Sequence, residues 1–338
     1  MSDLALVTGA SGFIGHHLVH TLVERGERVR CLVRASSDIS HLPIEQIELC
    51  YGDALDPESL VHAVAGTVAV YHVAGSIDAT DRQTLYKVNV DGSRNIAAAC
   101  ASQPDPPVLI LVSSQEAGGP ELDGRPRHEK DPSEPVTHYG KSKLMGEHAA
   151  SEFAGQVPLT IVRASAVFGE YDRETLNVFK AFQLGGAGLY PLPGANHLRL
   201  SLIYARELAG FLMLAADRGE RFIPEGPPGN GMYYAAYEAR PTFAELIKMA
   251  ACALNYERVH IIEVPIGAVW LAGGLSELWA RISGRPAGIL NLDKARAAAA
   301  GSWTCSPGKS MILGFSPEKE LAERIQQTAH WYRENGWL

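Results

Sequence analysis

Residues 4–15, LALVTGASGFIG, constrain this chain more than any other stretch. An apolar run of strand length ends in glycines spaced GxxGxxG, and HHLVHTLVERG then carries a helical pattern to Gly26. A strand that turns at once into a helix aims backbone N–H groups, and the positive end of the helix dipole, at whatever lies above the strand end. Gly9 permits the tight turn, Gly12 lets backbone approach a pyrophosphate, and Gly15 allows helix and sheet to pack closely. The expected ligand is a dinucleotide, held by Gly9, Ser11, Gly12, Phe13, Ile14 and Gly15.

The same strand–helix unit recurs. RVRCLV (28–33), IELCYGD (47–53), TVAVYHVAG (67–75), VLILVSS (108–114) and LTIVRASAVFG (159–169) read as further strands, with helices over PESLVHAVAG and KVNVDGSRNIAAACA. Strands apolar throughout and separated by helices predict a parallel sheet covered on both faces. The expected fold class is α/β, a Rossmann-type doubly wound parallel sheet with a smaller, discontinuous C-terminal substrate domain. Residues 1–168 and about 199–225 are assigned to the dinucleotide domain, returning through a helix at RELAGFLMLAAD and a strand at RFIPEG. Residues of about 169–198 and 226–338, with loops at GGAGLYPLPGAN and PEGPPGNG, are assigned to the substrate domain.

Composition removes several function classes. Lys and Arg total 30 against 38 Asp and Glu, a net charge of −8 with no basic cluster, so no nucleic-acid partner is expected. The five cysteines are scattered without a CxxC pair, which predicts free thiols and a cytoplasmic location. The N-terminus carries an acid and enters a strand pattern at once, so no signal peptide is expected. No integral membrane span is expected either: the nearest candidate, 266–282 with Trp270 and Trp279, is cut by Glu277. That segment reads as a core or interface helix, with cover over an apolar substrate or contact with a membrane surface as alternatives. His16, His17 and His20 share one helix without a carboxylate or cysteine beside them, so packed or solvated histidines are expected and no metal site. Glu147 and His148 read as surface residues.

The second strand ends in Arg34, with Ser36 and Ser37 close behind. An acid here would hold ribose hydroxyls; an Arg suits a 2′-phosphate, so NADP(H) is favoured over NAD(H). Asp53, closing the third strand, is a candidate acceptor for an adenine amino group, while Asp56 before Pro57 is the better helix cap. In THYGKSK (137–143), Tyr139 and Lys143 stand four apart, on one face of a helix. A free phenol titrates near pH 10 and is a poor base at neutrality; a nearby ammonium favours the phenolate. A serine hydroxyl would fix the substrate oxygen for proton transfer.

TGASGFIG, GDALD (52–56), YHVAG (71–75), NVDGSRN (89–95), VSS (112–114), YGKSK (139–143) and VRASAVFG (162–169), in this order, resemble the extended short-chain dehydrogenase/reductase family from end to end. The closing KSMILGFSPEKELAERIQQTAHWYRENGWL is similar to the C-terminal pattern of many such proteins. The resemblance implies a catalytic Ser/Thr, Tyr and Lys, carried here onto Ser114, Tyr139 and Lys143, with Asn89 helping to hold the active-site helix. Ser113 would lie on the opposite side of the strand end. It also implies cofactor contacts from Asp53, Ala54, Val73, Ala74 and Gly75, and from Ala164, Ala166 and Val167 beside the nicotinamide carboxamide; Tyr139 and Lys143 would share that role through the ribose. Ala164 stands where many relatives have Pro.

Three reactions fit. SSQEAGGP is similar to the segment of the 3β-hydroxysteroid dehydrogenase and dihydroflavonol reductase branch, which implies an alcohol–ketone interconversion on a small, apolar substrate. A nucleotide-sugar epimerase or dehydratase is the alternative. Against it, Gln115 stands where dehydratases carry an Asp, and the Arg expected on a sugar diphosphate is missing or displaced to Arg199. A non-catalytic NADP sensor is the third. The family also implies a possible homodimer, through the apolar faces of 86–100 and 142–153.

Overall fold

The computed structural model describes residues 3–77, 81–184, 189–192, 194–256, 259–283 and 291–338. The first half runs β1 (Leu4–Thr8), α1 (Phe13–Glu24), β2 (Arg28–Val33), β3 (Ile47–Tyr51), α2 (Pro57–Val64), β4 (Ala69–His72), α3 (Arg82–Tyr86), a π-helical turn (Lys87–Asp91) and α4 (Gly92–Ala101). It continues through β5 (Val108–Ser114), α5 (Gln115–Gly118), α6 (His138–Ser151), β6 (Leu159–Ala164) and β7 (Ala166–Phe168). The second half holds α7 (Arg173–Leu184), β8 (Leu189–Leu192), β9 (Leu202–Tyr204), α8 (Ala205–Arg218), β10 (Met232–Ala235), α9 (Phe243–Ala253), β11 (His260–Glu263) and α10 (Ile266–Ser283). It closes with α11 (Leu292–Ala299), α12 (Gly308–Leu313) and α13 (Leu321–Glu334).

Seven strands form one sheet in the order β3-β2-β1-β4-β5-β6-β10, every pair parallel. The order reverses at β1, between β2 and β4, and in open α/β sheets ligands bind outside the strand ends at such a reversal. Period-2 alternation explains the burial on both faces. Ala5, Val7, Val29, Cys31, Ile110 and Val112 pack with Leu18 and Leu22 of α1 and Phe211 of α8. Their neighbours Leu6, Leu32, Leu109, Leu111 and Ile161 pack the other way, with Leu60 of α2, Ile96 of α4 and Ala150 of α6. A third apolar cluster joins β7, α7, β9, α9 and α13, with Phe179, Tyr190, Ile247, Ile325 and Tyr332 at its centre.

Three readings need correction. RFIPEG (221–226) is not a strand; the seventh strand is Met232–Ala235, which pairs with β6. Arg221 is spent on the Ala215 and Ala216 carbonyls that close α8, and the run to Gly231 is coil. The stretch 185–196 is not all loop: β8 pairs with β11, while 185–188 and 193 lie outside the described residues. Finally, only the core half of the core-or-interface reading of 266–282 is overturned: α10 lies on the surface of this chain. Leu271 is 66% exposed and Trp279 67%, with Leu275 and Leu278 also exposed between them.

Candidate active site

The glycine turn has the expected form, for partly different reasons. Gly9 adopts φ +72°, and a Cβ there would lie 2.6 Å from the Ala74 nitrogen, so the turn nests against the exit of β4. A Cβ on Gly15 would lie 2.1 Å from the Gly9 carbonyl oxygen; this glycine admits the loop to its own helix rather than the helix to the sheet. A Cβ on Gly12 would meet only the Gly9 oxygen, at 3.2 Å, and Gly12 and Ser11 are exposed. No side chain caps α1 and no acid stands in its first turn, which opens with Phe13 and Ile14. Uncapped amides at an exposed helix start suit a pyrophosphate, so these residues fit the dinucleotide.

Around that turn, Arg34 and Ser36 are exposed at the end of β2, and the Arg34 guanidinium makes no hydrogen bond or ion pair among the described residues. Its backbone N–H donates to the Ser37 hydroxyl at 3.1 Å. A cation with a free head group at this position fits a 2′-phosphate. Asp53 is partly buried and accepts from the Leu55 N–H at 2.9 Å, while Ala54 is buried. Asp56 caps α2 by accepting from Glu58 N–H. Val73 and Ala74 are tethered to Thr8, and Gly75 is exposed beside them. Ala164 is buried at the end of β6, with Ala166 and Val167 partly buried in β7.

The second group gathers where β4, β5 and α6 meet. Thr137 caps α6 by accepting from Gly140 N–H at 2.9 Å, so the helix starts at His138, one residue before Tyr139. Ser114 ends β5 and caps the short α5, accepting from Glu116 N–H at 3.2 Å, and its hydroxyl lies beside the Tyr139 phenol. Lys143 is buried, and its Nζ donates to the Val112 carbonyl at 2.7 Å. Burial lowers its pKa to about 8, against the opposing pull of Glu147. Asn89, buried in the π-helical turn, donates to Ser142 of α6 at 2.8 Å and to the Ser76 carbonyl at 2.9 Å, and accepts from Ser76 N–H. It thereby ties α6 to the exit of β4, and π-turns of this kind concentrate at functional sites.

The Tyr139 phenol is pushed above its ordinary value, first by burial and then by the charge of Glu116, with the neighbouring Ser114 hydroxyl opposing. Glu116 is itself raised to about 7 by desolvation and by Asp293, although Thr137 donates to it at 2.5 Å. Ser113 does face away from Ser114, donating to Glu147.

Sequence reasoning missed two residues here. Glu147 was read as a surface residue alongside His148. His148 is exposed, but Glu147 is 3% exposed and pairs with Arg163 of β6 through both carboxylate oxygens, at 2.9 and 2.7 Å. The available signal was Arg163, a lone charge inside a strand otherwise fit for burial on both faces. The other is Asp293, whose carboxylate accepts from the backbone of His138 and Tyr139. Elsewhere, His17 is buried with Nε2 on the Glu170 carbonyl, and the His16 ring packs at a tilt against Tyr171, centroids 4.5 Å apart. Arg199 is held by the Arg240 carbonyl. All five cysteines are free. Among the described residues no helix is long and apolar enough to cross a membrane.

Comparison with known proteins gives a family and a fold. The family model described as NAD dependent epimerase/dehydratase family matches residues 5–224. A ceramide reductase of Caulobacter vibrioides is 30% identical over 98% of this chain and 95% of its own length. The mouse 3 beta-hydroxysteroid dehydrogenase type 7 is 30% identical over 70% of this chain and 68% of its own. Among solved structures, the crystal structure of gox2253 superposes with a TM-score of 0.79 at 26% identity, covering 99% of both chains.

Proposed function

The chain belongs to the NAD dependent epimerase/dehydratase family, and within it we propose an oxidoreductase that interconverts a secondary alcohol and a ketone on an apolar, lipid-like substrate. One arrangement carries the reading: the Ser114 hydroxyl lies beside the Tyr139 phenol, with the Lys143 side chain buried on the same helix face, at the end of the sheet where the glycine turn opens. The names of the ceramide reductase and the hydroxysteroid dehydrogenase support the substrate class.

Gly9 to Gly15 would hold the pyrophosphate, and Arg34 with Ser36 and Ser37 a 2′-phosphate, which favours NADP(H). When bound, the nicotinamide supplies or takes the hydride. The protein's part is the proton. Tyr139, its pKa raised, keeps its proton at neutral pH and can give it to a carbonyl oxygen as that oxygen gains charge. Ser114 donates a hydrogen bond to the same oxygen and fixes its position. Lys143, anchored on Val112, stands ready to hydrogen-bond a ribose hydroxyl and holds positive charge on the tyrosine's face of α6.

The nucleotide-sugar reading is less well supported. Gln115 supplies no acid for water loss, Glu116 is already engaged by Thr137, and Arg199 is turned to a backbone carbonyl. The test is nicotinamide absorbance with NADPH and a panel of keto lipids and ketosteroids. Cofactor oxidation matched to alcohol formation supports the reading; tight NADPH binding with no turnover would point to a sensor instead.

A further inference from the structure

We propose that Asp293 is a positioning residue for this reaction, a carboxylate brought from the C-terminal region to fix the first turn of the helix that carries Tyr139. The inference rests on the reading of Tyr139 as proton donor. A helix opens with amides that have no partner inside it. On α6, Thr137 takes the amide of Gly140 but not those of His138 and Tyr139. Asp293 takes both: Oδ1 accepts from His138 at 2.9 Å and Oδ2 from Tyr139 at 3.1 Å. Splitting a carboxylate across two successive amides leaves the Tyr139 backbone little room to shift.

The carboxylate is well held in its turn. Asp293 is 7% exposed and paired with Arg296 at 3.2 Å. Its helix, α11, is capped by Asn291, which accepts from Lys294 N–H at 2.8 Å. Glu277 of α10 accepts from Leu292 N–H at 2.9 Å, so α10 and α11 form one unit that presents the acid. The positive end of α6 favours an anion there. The same charge lies close enough to Glu116 to raise it, which connects Asp293 to the electrostatics around the phenol. The Tyr139 backbone is therefore set by a segment about 150 residues further along the chain, and the catalytic group is in register only while α10 and α11 are docked.

Two measurements on the full-length protein test this. The first needs no substrate: hydrogen exchange across 138–141 in wild type and Asp293→Ala. The expected result is exchange faster by about fivefold or more in the variant, the loss of a helix cap, with strands β1 and β5 still protected. Unchanged exchange would overturn the inference. The second uses turnover. Asp293→Asn should lower kcat roughly tenfold, leave KM and NADPH binding near wild type, and move downward the pH inflection at which Glu116 titrates, read by carboxyl NMR, since the Asp293 charge helps to raise it. A purely structural role would lower stability while leaving kcat per folded molecule and that inflection in place, which would overturn it. If wild type turns over no ketone, the proposed function fails, and the exchange experiment still decides whether Asp293 clamps the helix.

Discussion

Replacing Glu116 by glutamine should stabilise the protein at alkaline pH and do little at acid pH. The carboxyl is raised from its ordinary 4.5 to about 7, with burial as the largest cause and Asp293 adding to it. A group whose pKa is raised by folding contributes its full share below the unfolded value, and that share is lost as pH rises through the folded value. The wild-type protein should therefore lose stability between pH 4.5 and about 7–8 as a buried carboxylate is forced to ionise. A shift of this size corresponds to roughly 3 kcal/mol; because part of the side chain still reaches solvent, about 2 kcal/mol is the better figure. Glutamine can still accept from Thr137, so the hydrogen bond now at 2.5 Å need not be lost. Urea unfolding of wild type and Glu116→Gln at about pH 5 and about pH 8.5 reads the difference directly. The variant should match wild type within about 0.5 kcal/mol at the lower pH and exceed it by about 2 kcal/mol at the higher. A variant equally destabilised at both would refute the reasoning, since it would mean that Glu116 is ionised and well paired in the fold.

Other outcomes follow from the same geometry. Arg34→Ala should weaken NADPH binding roughly tenfold to a hundredfold, the worth of a charge-assisted contact, and leave NADH binding nearly unchanged; titration of bound-cofactor fluorescence checks it. Gly15→Ala should lower the unfolding free energy, read by urea titration, by about 1–3 kcal/mol and weaken NADPH binding together, because its Cβ would fall on the Gly9 carbonyl. Glu147→Ala leaves Arg163 buried and unpaired, so it should cost about 3–5 kcal/mol, measurable by denaturant titration.

Much of the sheet was legible because its signals are local. Strands buried on both faces are apolar without interruption, and the glycine turn and the Tyr–Lys pair lie within single elements. The seventh strand was misplaced because RFIPEG and MYYA both offer apolar residues after α8, and the choice depends on which can pair with β6. Glu147 was misread because a carboxylate four residues after Lys143 looks like a solvated helix face; its partner Arg163 lies on a strand folded beneath that face. Asp293 had no local signal, since its partners are backbone amides 154 and 155 residues away. The raised phenol was missed for a related reason. Lys143 was close in sequence, while burial and Glu116, which dominate, depend on the fold.

The central claim is that Tyr139 moves a proton on a substrate oxygen during a net change of the nicotinamide. Its most direct test is NADPH oxidation with a keto-lipid or ketosteroid substrate, compared between wild type and Tyr139→Phe. The account predicts stoichiometric NADPH loss and alcohol formation in wild type, and a fall in kcat of about a hundredfold to ten-thousandfold in the variant with cofactor binding intact. Conversion of a UDP-hexose without net cofactor change, or a variant as active as wild type, would contradict it.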